Sequence, residues 1–114
     1  MSDCLFCKIL DGKIPSREVY SDAHVYAFED IHPGAPVHVL VIPRQHVAMA
    51  KDLTVDDAHL MGHLTLGANE VAKRKGIAES GYRLVMNVGE GAGQTVFHVH
   101  MHVLGGRELS WPPG

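Results

Sequence analysis

His98-Val99-His100-Met101-His102-Val103 alternates an imidazole with an apolar side chain in strict period two. On an extended strand that alternation puts three imidazoles on one face and Val99, Met101 and Val103 on the other. Successive rings then lie about 6.6 Å apart along the strand, from the rise per residue. The apolar row asks for a core beneath it. Three titratable rings on the opposite face are expensive unless a site uses them, and a merely solvated face would more naturally carry Lys, Glu or Thr. The stretch reads as the centre of a core strand running from Phe97 to Leu104, with one chemical face.

Working outward, Val37 to Ile42 is β-branched and apolar except for His38, and is bounded by Pro36 and Pro43, as a central strand would be. His38, Leu40 and Ile42 share one of its faces. Tyr82 to Val88 reads as another strand, joined to the histidine strand by the glycine-rich segment from Gly89 to Thr95. Glu18 to Tyr20 and His24 to Phe28 read as a hairpin about a Ser-Asp turn, followed by a loop stiffened by Pro33 and Pro36. From Thr54 to Lys75 the period changes: Ala58, Met61, Leu64, Ala68, Val71 and Ala72 recur at steps of three and four. Thr54 with Asp57 supplies a capping-box start and Gly76 a stop. Gly62 and Gly67 inside this helix each cost about 1 kcal/mol relative to Ala, so a dimer interface or tight packing on the sheet should compensate. Leu5 to Gly12 reads as a short N-terminal helix. The fold class is α+β, a mainly antiparallel sheet with one long helix, and residues 1–114 are read as a single domain.

Composition narrows the function. Of 114 residues, 46% are hydrophobic and 20% charged, as in ordinary globular proteins. A net charge of −3 with no basic run argues against holding long nucleic acid by its phosphates, while a small nucleotide stays possible. The opening residues lack the uninterrupted apolar core of a secretory signal, and the longest apolar run is far short of the roughly 20 residues of a membrane span. A cytoplasmic protein without membrane attachment is the expectation. Nine histidines are the unusual feature.

The His-x-His-x-His-x pattern, with apolar residues between, resembles the signature of the histidine triad family. The resemblance extends to Asp30-Ile31, to Pro36-Val37-His38-Val39-Leu40-Val41-Ile42-Pro43, to the segment from Asn87 to Val96, and to Gly105-Gly106-Arg107. The ending Trp111-Pro112-Pro113-Gly114 resembles the branch of histidine triad nucleotide-binding proteins, whose activity is adenosine phosphoramidase.

That resemblance implies hydrolysis of nucleoside phosphoramidates to a purine mononucleotide, AMP or GMP. His100 would be the nucleophile, one of its nitrogens held protonated by a main-chain carbonyl near His98 while the other attacks phosphorus. His38, His102, Gln94, Thr95 and the backbone near Gly93 would surround the phosphate, with His102 or Thr95 helping the departing amine gain its proton. The family often has serine where Thr95 stands. Leu5, Phe6, Ile9, Phe28, Ile31 and Leu40 would hold the base, Asp30 the ribose hydroxyls, and Asn87 the nucleotide near its ribose and phosphate. Core packing is an equal explanation for Ile9 and Leu40, and a plain hairpin connection would account for the glycine-rich loop, which lacks the Gly-Lys-Ser/Thr end of a P-loop.

Cys4-x-x-Cys7 alone fits a redox pair, two unused thiols or half a metal site. No strand precedes it, as a thioredoxin-type pair would need, and a disulfide is out of place in a reducing cytosol. In some members of the family, residues at the positions of His46 and His98 complete a structural zinc site with two such cysteines; no catalytic metal is implied. A homodimer through the long helix and neighbouring strands, with Trp111 near the partner's site, is likewise implied. Two rival functions are a dinucleoside polyphosphate hydrolase using the same His100, and a nucleotide- or zinc-binding module without catalysis. His24, His32, His59 and His63 match no family position and read as surface or interface histidines.

Overall fold

The computed structural model describes residues 3–114; Met1 and Ser2, on which part of the signal-peptide reading rests, lie outside the described residues. Five strands form one antiparallel sheet: β1 (Glu18–Ser21), β2 (Val25–Glu29), β3 (Val37–Pro43), β4 (Tyr82–Val85) and β5 (Met101–Gly105), in the order β1-β2-β3-β5-β4. A short helix α1 (Leu5–Leu10) precedes them, and α2 (Ala58–Arg74) stands between β3 and β4 in the chain.

The sheet is covered on both faces by different partners. Val25, Ala27, Val39, Val41, Val99, Met101 and Val103 pack with Leu60, Leu64, Ala68, Val71 and Ala72, the apolar stripe of α2. The opposite face carries a second cluster in which Phe6 of α1 meets Phe28, Leu40 and Ile42. The period-two reading of the histidine stretch is therefore right about its faces: the Val, Met, Val row enters the helix-side core and the imidazoles take the other side.

Gly67 shows why the long helix tolerates glycine. A Cβ there would lie 2.9 Å from Val25 Cγ2 and 3.4 Å from Val41 Cγ1, so the missing side chain lets the helix press onto the sheet. Gly62 faces open space. The regular helix starts at Ala58 because a 3₁₀ turn over Val55–Asp57 comes first, anchored where the Thr54 N–H donates to Asp57 Oδ2 at 3.0 Å.

Two strands are shorter than the sequence suggests. Register pairs Val41 with Met101, so the next hydrogen-bonded pair, two residues on, would set Val99 against Pro43. Proline has no N–H to give a ladder, and β5 accordingly begins at Met101, not Phe97. Val99 instead donates to the Val47 carbonyl at 2.7 Å. β4 pairs with β5 as far as Val85 against His102, and stops at Val85 instead of Val88. Among the described residues no helix is long and apolar enough to cross a membrane.

Candidate active site

The ladder that stops at Pro43 leaves a carbonyl to be satisfied, and a side chain does it: His98 Nε2 lies 2.9 Å from Pro43 O. An oxygen without a proton can only accept, so Nε2 carries the hydrogen and Nδ1 is left with its lone pair. His98 is fully buried, and burial holds its pKa below the ordinary imidazole value. Its own carbonyl acts in the same way on His100, whose Nδ1 lies 2.8 Å from His98 O. Nδ1 of His100 is thus the protonated nitrogen, and Nε2 keeps a free electron pair. Phe6 packs edge-on against the His100 ring, centroids 5.2 Å apart, and fixes its plane.

A second chain of contacts sets His102. Register places Leu40 opposite His102 and His38 opposite Leu104, so His38 and His102 are diagonal neighbours on one face. The Gly34 N–H donates to His38 Nδ1 at 2.8 Å, which leaves the proton of the neutral ring on Nε2. That nitrogen faces His102 Nδ1 at 2.8 Å and Asp30 Oδ2 at 3.3 Å. With His38 donating to Nδ1, His102 carries its hydrogen on Nε2, and this atom is buried with no partner in the protein. Burial, helped by His100 and His38, pushes the His102 pKa down to about 4. Burial also holds His38 below its ordinary value, outweighing the pull of Asp30. Both rings are therefore neutral near pH 7. An orphaned buried N–H is costly, on the order of 1–3 kcal/mol, and is expected where a ligand supplies the acceptor.

These imidazoles open onto a cleft of about 760 Å³ between α1 and the sheet. Leu5, Phe6, Ile9, Phe28, Ile31 and Leu40 contribute apolar wall, and Asp30, Thr95, His38, His100 and His102 contribute polar groups. The size and the mixture suit a small ligand with a flat apolar part. Asp30 Oδ1 already accepts the His32 N–H at 2.8 Å, leaving Oδ2 beside His38.

Four of the residues expected around a nucleotide are not brought to this cleft. Gln94 is 3% exposed, and its amide is occupied by the backbone: it donates to Ala48 O and Val96 O and accepts from Gly89 N. Its observed work is to close the glycine-rich loop. Gly93 adopts φ +96°, a left-handed turn, with Asn87 beside it. Trp111 is 80% exposed on a tail held where Arg83 donates to the Leu109 and Ser110 carbonyls. Sequence reading missed Pro43 O and the Gly34 N–H as the groups that set tautomers, since backbone partners leave no side-chain signal. It also missed Arg17 and Ser16 along the cleft, which no motif marks.

Cys4, Cys7, His46 and His98 come together at the start of the histidine stretch, ahead of β5, their Sγ and Nδ1 atoms all within 4.8 Å of one another. Cys4 Sγ lies 3.4 Å and Cys7 Sγ 3.7 Å from His98 Nδ1; His46 Nδ1 is 3.3 Å from Cys7 Sγ and 3.1 Å from His98 Nδ1. Metal bonds of about 2.0–2.3 Å place tetrahedral zinc ligands about 3.3–3.8 Å apart, so this donor set fits a zinc ion. The bond from His98 Nε2 to Pro43 O fixes the ring and aims its Nδ1 lone pair at this cluster, as a metal ligand needs. Burial, and then Cys4 alongside, raise the Cys7 thiol pKa.

An imidazole with its tautomer locked by a carbonyl, set at the mouth of an apolar cleft beside a buried imidazole N–H, defines a histidine-centred site for nucleophilic or acid–base chemistry. Residues 11–109 match the HIT domain family. An uncharacterized HIT-like protein of Synechocystis sp. is 50% identical over 98% of this chain and 97% of its own. Among solved structures, a HIT family hydrolase from Legionella pneumophila superposes with a TM-score of 0.95 at 48% identity, covering 98% of this chain and all of that one. One from Clostridium thermocellum gives 0.94 at 47% identity over 96% of both chains. The chain belongs to the HIT family.

Proposed function

We propose that the protein is a nucleotide hydrolase that cleaves the P–N bond of purine nucleoside 5'-phosphoramidates by way of a nucleotidyl-His100 intermediate. The observation that carries this reading is the hydrogen bond from His100 Nδ1 to His98 O, which leaves an unprotonated Nε2 at the cleft. Two of the solved relatives bear the name hydrolase, which supports the reaction class.

With the base between the apolar walls and the ribose near Asp30, His100 Nε2 attacks phosphorus and the P–N bond breaks. His102 Nε2, whose N–H has no partner inside the protein, donates a hydrogen bond to the departing nitrogen, which gains its proton from water entering the cleft. His38 holds the His102 ring in that tautomer through the 2.8 Å contact. Water next displaces the nucleotide from His100, releasing AMP or GMP and restoring the free ring. Thr95, at the cleft, offers its hydroxyl to the phosphate. Cys4, Cys7, His46 and His98 would hold a structural zinc ion, which would neutralise the thiolates and tie α1 to the strand segment ahead of β5. The protein is proposed to act in the cytoplasm as a homodimer.

Mixing excess protein with adenosine 5'-phosphoramidate, quenching early and weighing the intact chain should reveal an added nucleotidyl mass that His100→Ala never shows. Turnover by His100→Ala at the wild-type rate would sink the mechanism. Faster turnover of diadenosine polyphosphate than of the phosphoramidate would overturn the choice of substrate, and binding without turnover would leave a nucleotide-binding module.

A further inference from the structure

The His38 tautomer is set by the Gly34 N–H, and Gly34 is exposed on the loop ahead of β3, so that bond is only as firm as the hold on the glycine. Glycine by itself resists backbone rotation less than any other residue. Packing does not pin it: a Cβ there would meet only the His38 ring, at 3.8 Å from Nδ1, an ordinary contact. The hold comes from the far end of the chain, where Arg107 Nη2 donates to the Gly34 carbonyl at 3.2 Å.

The segment that carries Arg107 is pressed onto the same loop. β5 ends at Gly105, paired with Val37, and Gly106 follows at φ +88°. A Cβ on Gly106 would lie 2.9 Å from Pro36 Cβ and 3.3 Å from Val37 N, so the absence of a side chain lets the chain turn this close to the loop. Arg107 Nη1 donates to Glu108 O at 2.9 Å and ties the guanidinium to its own segment. Gly34 is thus fastened on both sides of its Cα, by its N–H to His38 and by its carbonyl to Arg107.

The direction of a hydrogen-bond chain depends on this fastening. With the Gly34 N–H on Nδ1, neutral His38 carries its proton on Nε2, donates to His102 Nδ1 at 2.8 Å, and leaves His102 an N–H at the buried, unpartnered Nε2. If the Gly34 N–H swings away, His38 is free to take its proton on Nδ1. Both rings then reverse, and His102 presents a lone pair to the cleft where it had a donor. Asp30 Oδ2, 3.3 Å from His38 Nε2, favours the same tautomer, but a ribose engaging Asp30 withdraws part of that help.

We propose that Arg107 is a positioning residue: by holding the Gly34 carbonyl it keeps the Gly34 N–H on His38, and so keeps the His102 N–H turned to the cleft. Its consequence for turnover rests on the hydrolase reading above; the hold on Gly34 and the ring tautomers do not.

Arg107→Met keeps an unbranched side chain and removes the donors; the position is exposed, and circular dichroism checks that the fold is kept. In the ligand-free protein the Gly34 amide should exchange with solvent about tenfold faster in the variant than in wild type. Nitrogen-15 spectra of the imidazoles at pH 7, with and without AMP, should show His38 as the Nε2–H tautomer in wild type and a share of Nδ1–H in Arg107→Met, larger with AMP. With adenosine 5'-phosphoramidate, kcat should fall about tenfold while KM stays nearly unchanged. An unchanged Gly34 exchange rate, or His38 and His102 rings with wild-type spectra, would overturn the proposal. Altered rings with a wild-type kcat would overturn its catalytic consequence. No turnover by either protein would instead count against the hydrolase reading, and the exchange rate and ring spectra would still decide whether Arg107 sets the chain.

Discussion

His102 shows how a single residue's environment reaches stability as well as chemistry. An unfolded imidazole titrates near pH 6.5, whereas burial beside His100 and His38 brings His102 down to about 4. As pH falls from 6.5 toward 4 the unfolded chain therefore binds this proton first, and the folded state loses stability across that window. Full expression of a shift of this size is at most about 3 kcal/mol at one residue, and partial exposure reduces it. His102→Gln removes the titration while retaining a side-chain donor, so its melting temperature should fall less steeply than wild type between pH 6.5 and 4. Identical slopes in thermal melts would show that His102 is not the group responsible. Gln94 is the complementary case, a residue whose amide is wholly used by backbone groups. Gln94→Leu leaves three half-buried polar groups unmatched and should cost about 1–3 kcal/mol in urea unfolding; a loss below about 1 kcal/mol would mean that water or a loop shift replaces the amide.

At the scale of elements, α2 carries a paired test in its two glycines. Adding a methyl at Gly67 drives it to 2.9 Å from Val25, an overpacking cost of about 1–3 kcal/mol that opposes a helix-propensity gain of about 1. Gly67→Ala should destabilise by about 1 kcal/mol, while Gly62→Ala, which meets nothing in the chain, should stabilise by about 0.5–1 kcal/mol. Chemical denaturation of both variants decides it, and destabilisation at Gly62 would place a partner's helix there. The helix, the five strands and the two-faced character of the histidine stretch were legible because periodicity reports burial. The start of β5 was not, because it depends on which residue of β3 ends up opposite Val99, and that register exists only in the folded sheet. The site divides along the same line. His100, His102, His38, Asp30 and the apolar wall could be read from residue types and resemblance; the Gly34 and Pro43 backbone groups that fix the tautomers could not.

For the whole molecule the sheet edges matter. β1 is an edge strand broken by a register shift between Glu18 and Tyr20, a bulge that discourages further pairing. β4 is the other edge, four regularly paired residues whose outer row of backbone groups is open to another strand. Leu66 on α2 and Trp111 on the C-terminal tail are 63% and 80% exposed. Large apolar side chains left out at such levels, together with an open sheet edge, argue for a covering surface, and a second copy joined through β4 and α2 would supply one. Light scattering at micromolar concentration should then return twice the chain mass. Leu84 is half-buried in β4 with the helix-side core, so changing it would confuse folding with assembly. Leu66→Glu instead places a charge on the exposed face of α2 and should shift the mass toward the monomer while the circular dichroism spectrum stays native. If wild type is already a monomer, the pairing is wrong. If Leu66→Glu stays dimeric, the interface lies elsewhere than α2.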